Sequence, residues 1–424
     1  MRRNIYLLIF LTIQSTAYYS CRPSSATYAS HNEVISNQVS IATKEFIDSK
    51  ILGEQREVWV HVPAEFYGMD TTDVMFPVIY IVDADGHFLP LVGIVDQLSS
   101  RFSANDQCPP HIIVGIRNPN RNYDLTPPLQ DESQDNSDMT GGANDFAKFI
   151  GEELMPLINE KYPVAPYNTL AGHSLGGLFV MNTLIENQDL FDNYLVIDPA
   201  MDWDDRKFSE RVINVIKTKA FDAKQVYIVG AGPFIKGKTI EEIKSDTSMM
   251  MSLTSSVLLL KDKIGDVDRS GLNLKFEMEM NENHFTVPLK GFPQGLMHFY
   301  KGYHYDKMGN YYDEESLQRE KDIVQEIEQH YNNISEKLGY QVKPLESYIN
   351  AWAMGFGYNG EPNFGMQLYD YNIRNYPTSP FVHTADGHFK LFQHDTLEAI
   401  ASFENSIRLS RDDDLVDLIK ELKK

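Results

Sequence analysis

Between residues 76 and 280 the chain alternates short, unbroken apolar runs with longer stretches of helical spacing, and few folds accommodate that order. "FPVIYIV" (76–82) and "HIIVGI" (111–116) are rich in Val and Ile, the pattern of strands covered on both faces. "TLAGHS", "YLVID" (194–198), "QVYIVG" (225–230) and "LKFEMEM" (274–280) continue the series. "FLPLVGIVDQLSSRF" lies between the first two runs. The segment "GGANDFAKFIGEELMPLINEKYP" (141–163) places Phe146, Phe149, Ile150, Leu154, Leu157 and Ile158 at helical intervals. "GGLFVMNTLIENQ" and a stretch near 208–218 supply further helices. Such alternation predicts an α/β fold, a mostly parallel central sheet with helices on both faces. Sites in such sheets form in loops at the carboxyl ends of the strands. Upstream, "QREVWVHVP" (55–63) alternates polar and apolar residues up to a proline and reads as an antiparallel edge strand.

From residue 313 the character changes. "DEESLQREKDIVQEIEQHYNNISEKLG" is a charged amphipathic helix, and strand-like alternation does not return. Setting "GMQLYDYNIRNYP" against "AIASFENSIRLSR" aligns Gly365 with Ala399, Tyr369 with Phe403 and Ile373 with Ile407, an offset of 34 residues. That is the tetratricopeptide period. Two copies are fewer than the about three that stand alone, so these helices are expected to pack on the preceding domain or on another copy of the protein. The plainer alternative is a helical appendage that binds nothing. The expected organisation is therefore an α/β domain over 39–312 and a helical tetratricopeptide-like domain over 313–424.

The first 21 residues, "MRRNIYLLIFLTIQSTAYYSC", join two arginines to a short apolar run and then to small and polar residues, the layout of a secretory signal. The apolar run is too short to span a bilayer, so export and cleavage are expected, followed by a linker over 22–38. Cleavage before Cys21 would leave the lipid-modified first residue of a bacterial lipoprotein; the alternative is plain secretion. Either way, a periplasmic, outer-membrane-anchored or secreted location is expected. The other cysteine, Cys108, would then have no partner. With 60 acidic against 38 basic side chains and a net charge of -22, the chain repels phosphate backbones, which argues against a nucleic-acid partner.

Within "NTLAGHSLGGLFV" (168–180), Gly172-His173-Ser174-Leu175-Gly176 follows a strand pattern and opens a helix. That is the setting in which a serine is forced into an exposed, strained turn. A serine hydroxyl needs a base within hydrogen-bond reach. His284, in "NENHFTVP" just past the last strand, is in the position a hydrolase of this architecture uses. His298 and His304 follow on a helix and its tail, where solvated or packed roles are expected. The ring of His173 should point away from the reacting face, while His87 could line the pocket. The orienting acid belongs after "QVYIVG", where Asp246, Glu241 and Glu242 are the candidates. Asp198, at the end of the preceding strand, is an outside one, and a pair without an acid is also open. One oxyanion donor should be the backbone N–H of Leu175, the other an amide of the loop Asp83 to Gly86.

These motifs resemble the putative esterase family of α/β hydrolases, which includes S-formylglutathione hydrolase, siderophore esterases, feruloyl esterases and mycolyltransferases. The resemblance covers roughly residues 40 to 303 and rests on "SKILGEQREVWVHVP", "FPVIYIVDADGHF", "RNYDLTP", the 141–163 segment, "AGHSLGGLFV" and "NENHFTVP". It implies the α/β-hydrolase fold, with Ser174 as nucleophile, His284 as base, and the amides of Asp85 and Leu175 as the oxyanion hole. It also favours Asp246 as the acid, because relatives carry an Asp-Thr pair where this chain has Asp246-Thr247. Two departures stand out. "DPAMDWDD" replaces the usual Ser-Pro-Ser followed by tryptophans, giving Trp203 a place in the pocket. "HFTVP" replaces "HGSVP", putting Phe285 beside the base. The expected activity is hydrolysis of a carboxylic ester, of a siderophore or an acylated carbohydrate, with no metal or organic cofactor. An acyltransferase using the same Ser-His site is one alternative. A decayed binding protein acting through its helical tail, with a homo-oligomer or protein contact there, is another.

Overall fold

The computed structural model describes residues 39–63, 75–99, 105–130, 139–246, 248–269 and 271–424. The expected signal, linker and Cys21 lie outside the described residues, as does Thr247. Nine strands form one sheet in the order β1-β2-β4-β3-β5-β6-β7-β9-β8. They are β1 (Thr43–Asp48), β2 (Gln55–His61), β3 (Phe76–Val82), β4 (Ile112–Ile116), β5 (Val164–His173), β6 (Asn193–Ile197), β7 (Lys224–Ala231), β8 (Val267–Arg269) and β9 (Leu272–Glu279). Strands β4, β3, β5, β6, β7 and β9 run parallel to their neighbours, while β1, β2 and β8 add antiparallel pairs at the two ends. This is the mostly parallel α/β sheet expected from the alternation of buried runs and helices, in the α/β-hydrolase arrangement that the resemblance implied. The segment read as an edge strand is β2, but it pairs with both β1 and β4 and is not at the edge. The edge is β1, whose sequence TKEFID is largely exposed and carries no strong apolar alternation to announce it.

Each strand sends alternate residues to opposite faces. On one face Val78, Tyr80 and Val82 of β3 join Leu170, Val196 and Val226 under helices α2 (Ala143–Phe149), α3 (Met155–Lys161), α4 (Leu175–Glu186), α5 (Lys207–Thr218) and α6 (Met249–Ile264). A π-helical turn at Ile150–Leu154 joins α2 to α3 and brings Ile150 and Leu154 onto the buried side. On the other face Ile79, Ile81, Ile113, Leu195 and Val229 pack against α1 (Ala84–Leu98) and α7 (Pro288–Phe299).

Beyond β9 the described chain is helical. Helices α8 (Ile323–Leu338), α9 (Glu346–Tyr358), α10 (Pro362–Asn375), α11 (Pro380–Phe392), α12 (Thr396–Leu409) and α13 (Asp413–Leu422) follow α7. The starts of α9 and α11 and those of α10 and α12 are each 34 residues apart (380 − 346 and 396 − 362). Tyr369 and Phe403, aligned in the sequence, are both buried. These helices pack on the preceding sheet: Ile323, Ile327, Tyr331, Phe356, Tyr369 and Phe389 belong to the same core as Ile79, Phe88 and Phe292. Polar ties reinforce the joint. Tyr331 donates its hydroxyl to the buried Asp106, Tyr348 to the Tyr305 carbonyl at 2.7 Å, and His330 Nε2 to the Tyr303 carbonyl at 2.8 Å. Cys108 is free and buried in this interior.

Candidate active site

Ser174 occupies the turn between β5 and α4 with φ 61° and ψ −120°. A non-glycine residue pays for such a backbone and persists there only when its surroundings fix it. The glycines on either side explain why it fits. A Cβ at Gly172 would lie 2.4 Å from the carbonyl oxygen of Gly176, and one at Gly177 3.0 Å from that of Ile197. The Ser174 amide donates to the Ile197 carbonyl at 3.1 Å, and its own carbonyl accepts from Ala200 and Leu178. The turn is thereby tied to the end of β6 as well as to its own helix. The Ser174 side chain does not cap α4, leaving the hydroxyl for other chemistry.

His284 lies in the loop between β9 and α7, and its Nδ1–H donates to Asp198 Oδ2 at 2.7 Å. Asp198 is fully buried, with φ 37°. Its backbone N–H donates to the Val229 carbonyl at 2.7 Å, and its Oδ1 accepts the Ala231 N–H at 2.9 Å. One carboxylate oxygen is thus pinned by the end of β7, which aims the other at the imidazole. Asp246, favoured by the sequence, is elsewhere: it pairs with Lys238 on an exposed loop, and that ammonium holds its carboxyl well below the usual range. Glu242 is spent on a capping box with Thr239 at the start of the helix Ile240–Ser245, and Glu241 is exposed in its first turn. The acid at the histidine therefore comes from the end of β6, one strand earlier than expected. The reason is geometric: the last residue of β6, Ile197, accepts the Ser174 N–H and so sets Asp198 beside the serine turn, while residues 234–242 of the loop after β7 are exposed.

The ring of His284 packs on that of His173, 4.3 Å between centroids, and His173 in turn meets His87 edge-on at 5.1 Å. The expectation that His173 points away is corrected: it is the middle ring of three. Burial pushes its pKa down to about 3, with the neighbouring His284 and His87 acting in the same direction, so it stays neutral. Burial also lowers the His87 pKa, and this ring packs on Phe292. Trp203, expected in the pocket, is half-buried against the sheet core, with its Nε1 buried and unpartnered. His298 and His304 pack on Tyr227 and Tyr348, as their helix and its tail suggested.

The N-terminus of α1 faces that of α4. Asp83, its cap, has φ 57° and ψ 47°, and a Cβ at Gly176 would meet Val82 Cγ2 at 2.8 Å and Asp83 Oδ2 at 3.4 Å. The first-turn amides Leu175 and Asp85 belong to the N–H groups a helix leaves without an internal partner, and both helix dipoles favour negative charge there. A network that sequence reasoning left unassigned holds Asp83 in place. Arg121 Nε donates to both its oxygens at 2.9 and 3.0 Å, and Asn118 Oδ1 accepts its N–H at 3.0 Å. Asn118 Nδ2 donates to Asp124, which the buried Arg56 grips with two bonds of 2.7 Å. The signal was the quoted "RNYDLTP", whose Arg121 and Asp124 are these two partners. Among the described residues no three His, Cys, Asp or Glu side chains gather as a metal site would need.

Known proteins with the same framework complete the description. Residues 49–221 match the family described as "Putative esterase". The ferri-bacillibactin esterase BesA of Bacillus subtilis is 33% identical over 142 residues, 30% of this chain and 49% of that relative. The siderophore enterobactin esterase of Emericella nidulans is 32% identical over 146 residues, 30% of this chain and 47% of that relative. The matches thus span about half the length of each. Among solved structures, an IroE-like serine hydrolase from Shewanella oneidensis superposes with a TM-score of 0.62 at 24% identity, covering 78% of this chain and 99% of that one. An uncharacterised protein from Capnocytophaga ochracea does so with a TM-score of 0.55 at 17% identity over 90% of this chain and 99% of that one, a span that includes helices of the tail. Residues 49–221 thus match the "Putative esterase" family, on a chain whose fold is that of the IroE-like hydrolase.

Proposed function

We propose that this chain is a serine esterase. The observation that carries the reading is the 2.7 Å bond from His284 to the buried Asp198, beside a serine held in a strained strand-to-helix turn. In the proposed reaction His284 Nε2 takes the Ser174 proton as Oγ attacks the ester carbonyl. The carbonyl π electrons move to oxygen, which accepts hydrogen bonds from the amides of Leu175 and Asp85, each donor typically worth about 3 kcal/mol of barrier. Collapse breaks the bond to the alcohol, which leaves with the proton from His284. Water then adds to the acyl-enzyme by the same route in reverse, releasing the acid and Ser174. Asp198 holds the imidazole in the tautomer with the proton on Nδ1 and stabilises the imidazolium as it forms.

The relatives, a ferri-bacillibactin esterase and a siderophore enterobactin esterase, support a small-molecule ester as substrate. The leader-like first 21 residues support an exported enzyme. A fluorophosphonate should label the wild-type chain stoichiometrically and abolish its release of chromogenic alcohol from an activated acetate ester, and the Ser174→Ala variant should show neither labelling nor release. Equal labelling and turnover in the Ser174→Ala variant would sink the reading.

A further inference from the structure

The rim beside His284 carries two large apolar side chains that remain in solvent. Phe285 is 75% exposed and Phe234, in the loop after β7, is 43% exposed. Their rings stand 5.7 Å apart, and the Phe285 ring meets His284 edge-on at 5.4 Å. An unbroken aromatic surface therefore runs outward from the imidazole. Both rings stand on braced backbone. Gly232 donates its N–H to the carbonyls of Glu279 and Glu282, and a Cβ there would lie 2.2 Å from the Met280 carbonyl oxygen, which locks the two loops together. Asn283 Oδ1 accepts the N–H groups of Phe285 and Thr286 at 2.9 and 3.2 Å, while Thr286 Oγ1 accepts the Asn283 N–H. Most flanking charges are paired with each other, Lys290 with Glu279 and Glu282, and Lys238 with Asp246, while Lys236 donates to the Met280 carbonyl at 3.4 Å. A braced apolar surface rimmed by partnered charge is what an apolar ligand group needs.

The proposed chemistry says which group that is. The proton on His284 Nε2 goes to the oxygen of the departing alcohol as its bond to the acyl carbon breaks, so that oxygen must lie against the imidazole. Its substituent then extends past the imidazole onto the neighbouring rings. We propose that Phe234 and Phe285 form the subsite for an aryl-bearing leaving alcohol, a role that rests on His284 acting as the acid-base group. Flat π faces favour an aromatic partner over a saturated one of similar size.

The test uses acetate esters of methanol, cyclohexylmethanol, benzyl alcohol and 2-naphthylmethanol, so that only the alcohol changes. Fluorophosphonate titration counts the competent enzyme in the wild type, Phe234→Ala, Phe285→Ala, Phe285→Leu and the double alanine variant. The ratio of kcat/KM for the naphthylmethyl ester to that for the methyl ester should fall about tenfold in each alanine variant. Phe285→Leu should lose the preference for benzyl over cyclohexylmethyl. Ratios that stay put, or a uniform loss across all four esters, would overturn the subsite. So would a double variant whose only change is a smaller assembly in sedimentation, because that gives the rings to a contact between copies. A wild-type chain that takes no fluorophosphonate and cleaves no ester fails the esterase reading itself, a result distinct from labelled enzyme without alcohol preference.

Discussion

Asp198 holds the Nδ1–H of His284 at 2.7 Å from the end of the strand next to the one that delivers Ser174. The same carboxylate is pinned by Ala231, so its position depends on β7 as well as β6. Asp198→Asn should leave the fold intact and lower kcat by roughly a thousandfold or more, since the amide favours the wrong imidazole tautomer. Asp246→Asn, on its exposed loop with Lys238, should stay within about twofold of the wild type by the same assay. Equal losses would return the orienting role to the later loop.

Gly172 shows how little room the serine turn has. With the Gly176 carbonyl oxygen 2.4 Å from where a methyl group would sit, Gly172→Ala must push β5 and α4 apart. The expected outcome is a loss of about 1 to 3 kcal/mol in denaturant unfolding, together with slow or absent fluorophosphonate labelling of the protein that still folds. Normal labelling kinetics would show that the turn tolerates the shift.

Asp106 gives stability a pH dependence. Burial raises its carboxyl from the usual 3.8 to about 7, against the pull of the Tyr331 hydroxyl. A raised folded pKa means the folded chain keeps a proton that the unfolded chain has released. Its contribution is therefore complete below about pH 4 and lost as pH rises through about 7, at up to about 1.4 kcal/mol per pH unit. Asp106→Asn keeps an acceptor for Tyr331 and cannot titrate. The melting temperature of the wild type relative to this variant should decline steadily between pH 4 and 7. A constant difference across that range would rule the effect out.

The helical tail should be indispensable for folding. A chain ending at residue 312 would uncover Tyr300, Tyr303, Tyr305, Met308 and Tyr311, all buried now. Exposed apolar surface of that extent drives association. The truncated chain should aggregate on expression, where an independent appendage would leave a soluble, labelled enzyme behind.

The elements that were legible in the sequence are those with one dominant signal. Continuous Val and Ile runs announced the strands buried on both faces, and the glycines around Ser174 announced a turn whose steric need is local. The position of His284 followed from its place after the last long strand. Elements held by partners far away in sequence were harder to read. Strand β1 has weak alternation of its own and depends on its pairing with β2. Asp198 directly follows β6 while Asp246 ends the helix Ile240–Ser245 beyond β7, and the order of residues along the chain does not say which of the two meets the imidazole. The ring of His173 could not be oriented from its neighbour in the chain, because its surroundings are His87 and His284.

The interior shared by α7 and helices α8 to α11 has a consequence for inheritance. The loop that carries the base leads directly into α7, whose Phe292, Leu296 and Phe299 lie in the core that the helices after residue 312 also fill. A substitution far down the C-terminal half can therefore loosen the imidazole without touching the pocket. The tail and the α/β domain must drift together over generations, each constraining what the other can lose, rather than being traded between proteins as separate parts.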